Sequence, residues 1–270
     1  MTEHRHLFQL IPYYFGLYRH YIAVCAAQAL SFRTHFFLLV IVDLFFYASS
    51  FGVVAFLFEH VEMIGPWNRN EFLFFVSFFL AIDQLHMSMF AMSFWEFSAD
   101  LRLGRLDFWL LKPAHVLFIL FFRNVRFSNF FLTPIVWGAL VYFGWKLSFG
   151  TEQWILLPLL ILLGITLLVS IEILLSAAMF WTIESIGINF LRMQIQSVGR
   201  WPDFIYQYLF QKFFTLFVPI LLVSSAPTHY VLQSGGGTLL VGMITAIASC
   251  WILNRYAWRA GLRRYESASS

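Results

Sequence analysis

Long apolar runs separated by short polar clusters dominate the chain. A helix needs about 20 mainly apolar residues to cross a hydrocarbon core about 30 Å thick. Six stretches approach that length with few charges: Phe36 to Phe58, Phe72 to Trp95, Phe127 to Trp145, Trp154 to Trp181, Ile205 to Ala226 and Gly235 to Leu253. The runs are unbroken, whereas strands of a membrane barrel alternate apolar and polar positions over about ten residues. The expected fold is an all-α integral membrane protein with about six transmembrane helices. The fifth span is the least regular, because Lys212 and Pro219 leave only Phe213 to Ala226 as a clean apolar run. Pro134, Pro158 and Pro219 are the positions where a span can kink.

Polar segments divide the chain further. Residues 1–33 read as N-terminal interfacial helices, 34–256 as one membrane domain and 257–270 as a tail. The connections 96–126 and 182–204 mix charges with aromatics, as helices lying along the headgroup layer do. Basic residues set orientation. Six spans put Arg5, Arg19, Arg33, Arg102, Arg105, Lys112, Arg123, Arg126, Arg192, Arg200, Lys212, Arg255, Arg259, Arg263 and Arg264 on one side, and Arg69 and Lys146 on the other. Both termini are expected to be cytoplasmic. No removable signal peptide is visible between Met1 and Arg19.

Composition agrees: 60% of the residues are hydrophobic, 20% aromatic and 11% charged, against about 25% charged in soluble domains. The net charge of +3 reflects topological anchors, so no nucleic-acid partner is expected. Cys25 and Cys250 show no disulfide or metal spacing. A P-loop, an HExxH helix and a GxSxG elbow are all missing from the sequence. Neither ATP hydrolysis nor metal chemistry is expected of this chain, and no bound cofactor.

Three acids fall inside spans: Asp43, Asp83 and Glu172. A charge at that depth costs about 2.5–3.5 kcal/mol on insertion scales, and the linear reading places no Lys or Arg level with them. Either they line a wet cavity and favour cationic substrates, or they are protonated or hydrogen-bonded, Asp83 to His86 one turn away. Asp43, Asp83, His86 and Glu172 are the substrate-pathway candidates.

The stretch Leu101-Arg-Leu-Gly-Arg-Leu-Asp-Phe-Trp-Leu-Leu-Lys-Pro113 resembles the GxLDxxLLxP signature of a bacterial ABC-2 type permease family, and lies between the second and third spans. Gly65-Pro-Trp with Glu71, Trp201-Pro with Ile205-Tyr206, and the tail Trp258-Arg-Ala-Gly-Leu-Arg-Arg-Tyr-Glu-Ser267 match other pieces in order. The resemblance implies a six-span permease subunit of an ABC exporter in the bacterial cytoplasmic membrane. It implies pairing with a second permease copy or homologue and with two ATP-binding subunits, which hold the ATP and Mg2+. It also implies that Leu101, Arg102, Gly104, Arg105, Leu106, Asp107, Trp109, Leu110, Lys112 and Pro113 form a coupling helix, so that charge changes at Leu106 or Asp107 uncouple ATPase from transport. The substrate is then a hydrophobic or amphiphilic compound, cationic if the acids face the pathway. An ion-coupled secondary transporter or channel is the alternative; it predicts inverted repeats, which the sequence does not show.

Overall fold

The computed structural model describes residues 7–182, 186–233 and 235–265, with side chains from residue 12 onward. Arg5, residues 183–185 of the second polar connection, Ser234 and the tail beyond Tyr265 lie outside them. Among the described residues five helices are long and apolar enough to cross a membrane, or six if one bent pair counts as a span. They are α2 (Arg33–Leu57), α3 (Arg69–Met89), the segment Phe127–Lys146, which is a 3-10 helix followed by α7 (Thr133–Lys146), α8 (Thr151–Ala177) with its 3-10 extension to Phe180, and α12 (Gly237–Arg264). Ahead of them runs α1 (Leu7–Ser31), and a two-residue hairpin, β1 (Met63–Ile64) with β2 (Trp67–Asn68), leads into α3.

The start of α3 explains Glu71. Asn68 caps the helix by accepting from the amides of Asn70 and Glu71 (2.9 and 3.2 Å), and Glu71 accepts from the Asn68 amide at 2.7 Å. That reciprocal box satisfies donors the first turn leaves open. Pro134 sits in the first turn of α7, where its missing N–H costs nothing, so it kinks no helix. Pro158 lies within α8.

Helix α3 is the centre of the bundle. Phe72, Phe74, Phe75 and Phe78 are fully buried, and the helix packs against α2, α7 and α8. Lipid tails are as apolar as phenylalanine, so burial of rings gives little preference for the inside; polar contacts and close packing decide it. Helix α3 carries Asp83, Gln84 and His86, all buried. In contrast α12 presents Val241, Ile244, Trp251 and Ile252 outward.

The fifth predicted span is a correction. Residues 205–226 do not form one crossing: α10 (Tyr208–Leu216) and the helical stretch Leu221–Val231, which includes α11 (Ser225–Val231), meet at 74°. The break falls at Pro219. Both ends of this segment reach the same end of the bundle, since His229 Nε2 lies 2.9 Å from Asp203 Oδ1 and its ring 4.7 Å from that of Trp67. It is a re-entrant hairpin. After the break the chain is buried in protein, with Ile220 to Val223 at 3% exposure or less, whereas Leu216 and Phe217 before it are 69% and 79% exposed; irregular backbone at membrane depth is tolerated where protein covers it.

Helix α9 (Ile186–Val198), which was expected to lie along the headgroups, instead runs inside the bundle alongside α3. Its Phe190 meets Trp95 beyond the last turn of α3, and Trp201, just past its end, meets Phe72 in the first turn of α3. Thirteen residues give about 20 Å of helix at 1.5 Å per residue, and the turn through Trp201 completes the run beside α3. Arg192 and Arg200 are thereby moved from the basic side into the bundle, Arg200 standing 4.8 Å over the Phe46 ring.

Candidate functional site

Two places concentrate polar chemistry. The first is the end of the bundle where α3 gives way to α4 (Ala91–Arg102), α5 (Leu106–Leu110) and α6 (Val116–Phe122). Asp100, 1% exposed, is held between two cations: Arg105 Nε donates to it at 3.0 Å and Arg123 Nη2 donates to its other oxygen. Arg123 also stands 3.9 Å over the Trp109 ring, a cation–π contact worth about 2 kcal/mol when desolvated. The turn between α4 and α5 depends on Gly104 at φ +64°, a left-handed conformation in which a Cβ costs roughly 1–2 kcal/mol.

Segments distant in sequence brace this platform. Trp258 of α12 lies 5.2 Å from Phe97 and 5.6 Å from Phe121, ring to ring. Gly261 lets α12 approach closely, because a Cβ there would stand 2.2 Å from the Phe180 ring. Burial raises the Tyr265 phenol above its ordinary pKa, and the nearby carboxylates of Asp107 and Asp100 push the same way. From α1, Tyr13 donates to the Pro113 carbonyl (3.2 Å), and Tyr14 accepts from the His115 amide (2.9 Å). The Cys25 thiol bridges the Arg123 carbonyl and the Val125 amide.

Within the candidate stretch, Leu106 is fully buried, and Leu101, Gly104, Asp107 and Trp109 are partly buried. Arg102, Arg105, Leu110, Lys112 and Pro113 are exposed. So are Leu103, Phe108 and Leu111, at 61%, 68% and 83%. The result is an apolar, positively rimmed knob on a clamped base. Because Leu106 belongs to the base, a charge there tests folding, whereas Phe108 and Leu111 test contact. The sequence reading missed Asp100 and treated Arg123 only as a topological anchor; an acid and a base flanking the apolar motif were the available signal.

The second place is the junction of α3, α8 and α9. Glu172 (1% exposed) accepts from Arg192 Nη1 at 2.7 Å, and its other oxygen lies 2.5 Å from His86 Nε2. Gln196 Nε2 donates to Asp83 Oδ1 at 3.1 Å and lies 3.3 Å from His86 Nδ1. A donor facing Nδ1 assigns the imidazole proton to Nε2, pointing at Glu172. Nearer the first end, Arg126 donates to Asp43 at 3.0 Å. The expectation that no Lys or Arg reaches these acids is overturned for Glu172 and Asp43, since Arg192 rides on α9 and Arg126 folds back from the connection, while Asp83 is met by Gln196. Asp83, His86 and Glu172 are buried together inside the helix junction. Gln84, also missed, ties α3 to Asn129, Thr133 and Trp137 at 2.9–3.2 Å.

At the opposite end, Asp203 secures the hairpin. Burial would raise its carboxyl, but hydrogen bonds from His229 and Gln211 outweigh this and hold it below the ordinary aspartate value.

A family model described as ABC-2 family transporter protein matches residues 44–269, which include the platform, the helix junction, the hairpin and α12. No curated protein and no solved structure matches the chain.

Proposed function

Because the chain belongs to the ABC-2 family transporter proteins, a family of multi-pass membrane components of ABC transporters, we propose that it is an export permease whose α4–α6 platform docks a separate ATP-binding subunit. The observation that carries this reading is the exposed Leu103, Phe108 and Leu111 knob on a base clamped by Asp100, Arg105 and Arg123. A lever must be apolar enough to seat in a partner and stiff enough not to yield. Helix α3 ends at this platform and the segment leading into α7 begins there, so movement of the partner shifts both helices together.

In this reading the platform faces the cytoplasm of a bacterial cell, with α1, the end of α12 and both termini on that side. Arg102, Lys112, Arg255, Arg259, Arg263 and Arg264 at that end agree with the positive-inside rule. ATP and Mg2+ bind in the partner subunits. A second permease copy or a homologue completes the conduit, and the substrate is a hydrophobic or amphiphilic compound.

The test is co-expression with an ATP-binding subunit, reconstitution, and measurement of co-elution and substrate-stimulated ATP hydrolysis. Wild type is expected to retain the ATP-binding subunit, and Leu111→Asp with Phe108→Asp to release it. Retention unaffected by both substitutions refutes the docking assignment.

A further inference from the structure

Between α8, α12 and the chain from Ala114 to Phe122 lies a groove of about 890 Å³. It is two-sided in chemistry. Toward the middle of the bundle its walls are Ile165, Val169 and Trp251; toward the platform they include His115, Arg255 and Arg259. Among the described residues no acid lines it. Among the described residues neither arginine has an ion-pair partner. Two more polar groups in its wall are buried and unpaired: the indole Nε1 of Trp258, 4% exposed, and Oδ1 of Asn254, 7% exposed. A buried donor left without an acceptor is costly, and here it stands beside two cations.

We propose that this groove binds an anionic phospholipid of the surrounding bilayer. The phosphate sits between Arg255 and Arg259, Trp258 Nε1 donates to a phosphate or ester oxygen, and an acyl chain lies along Ile165, Val169 and Trp251. Charge complementarity selects the occupant. A second copy of the chain would have to bring acids, yet among the described residues near this end Asp100 is engaged by Arg105 and Arg123, and Glu96 lies 3.9 Å from Arg105. A cationic amphiphile would meet like charge. Since Trp258 also packs on Phe97 and Phe121, the lipid braces α12 against the platform. The site does not depend on the transport reading.

The experiment is native mass spectrometry of the purified full chain titrated with phosphatidylglycerol and phosphatidylcholine. Wild type is expected to retain phosphatidylglycerol preferentially. The double variant Arg255→Gln/Arg259→Gln should bind it about 30-fold more weakly, at roughly fivefold per basic residue near an anionic headgroup. Arg263→Gln/Arg264→Gln makes the same charge change outside the groove and should leave binding intact. Ile173→Trp, which fills the groove without changing charge, should weaken both lipids. Glycerol phosphate, which has the headgroup chemistry but no chains, should fail to compete. Equal binding of the two lipids by wild type, equal losses in the two double variants, or displacement by glycerol phosphate would overturn the proposal.

Discussion

Replacement of Arg192 by methionine removes the guanidinium that contacts Glu172 in the α3–α8–α9 junction. Two magnitudes compete. Hydrogen bonds between membrane helices average about 0.6 kcal/mol, because the unfolded chain in lipid finds other partners. Removing one member of a buried ion pair costs about 3–5 kcal/mol, because it leaves an uncompensated charge. Arg192 and Glu172 are each 2% exposed at the side chain and 2.7 Å apart, which places them in the second class. His86 remains 2.5 Å away and still hydrogen-bonds the carboxylate, so the lower end of that range, about 3 kcal/mol, is the better expectation. At about 2–4 °C per kcal/mol for a chain of this size, the unfolding midpoint in detergent should fall by about 6–12 °C. Glu172→Gln should also destabilise, and the double variant should recover much of the loss, because the charges are coupled. A fall below about 2 °C for Arg192→Met, or additive losses in the double variant, would refute the claim that α9 is held in the bundle by this pair.

Other outcomes follow from the same geometry. In a chain with Cys25 and Cys250 replaced by alanine, Gln207→Cys and Gln233→Cys, both exposed, should label with an impermeant maleimide from one and the same side. Labelling from opposite sides would restore a fifth span over residues 205–226. Leu111→Asp should release the ATP-binding subunit while leaving the unfolding midpoint within about 2 °C, since surface changes usually stay within ~0.5 kcal/mol; Leu106→Arg should lower the midpoint itself. Asp203 has a depressed carboxyl pKa when folded, so its contribution is present above the unfolded value of about 4 and is lost as pH falls through the lower folded value. Melting curves between pH 3 and 6 should therefore lose less on acidification in Asp203→Asn than in wild type, and parallel curves would disprove the linkage.

Apolar length alone fixed α2, α3, the 127–146 span, α8 and the greater part of α12, because a bilayer demands about 20 such residues whatever else surrounds them. The stretch from Leu101 to Pro113 was legible as a motif, but that it is a turn at Gly104 between α4 and the short α5 rather than one helix came from the structure. Two further things were decided only by tertiary structure. Helix α9 is too short and too polar to read as a span; Asn189, Arg192 and Gln196 become tolerable there because it packs beside Glu172 of α8 and Asp83 and His86 of α3. The run from Phe213 to Ala226 reads as a span by composition, yet the chain breaks at Pro219 and turns back, the segments flanking the run being tied together by Asp203 and His229. Hydropathy measures what each residue gains by leaving water. It is blind to the partner that a buried charge finds on another helix, and that partner decides which segments cross.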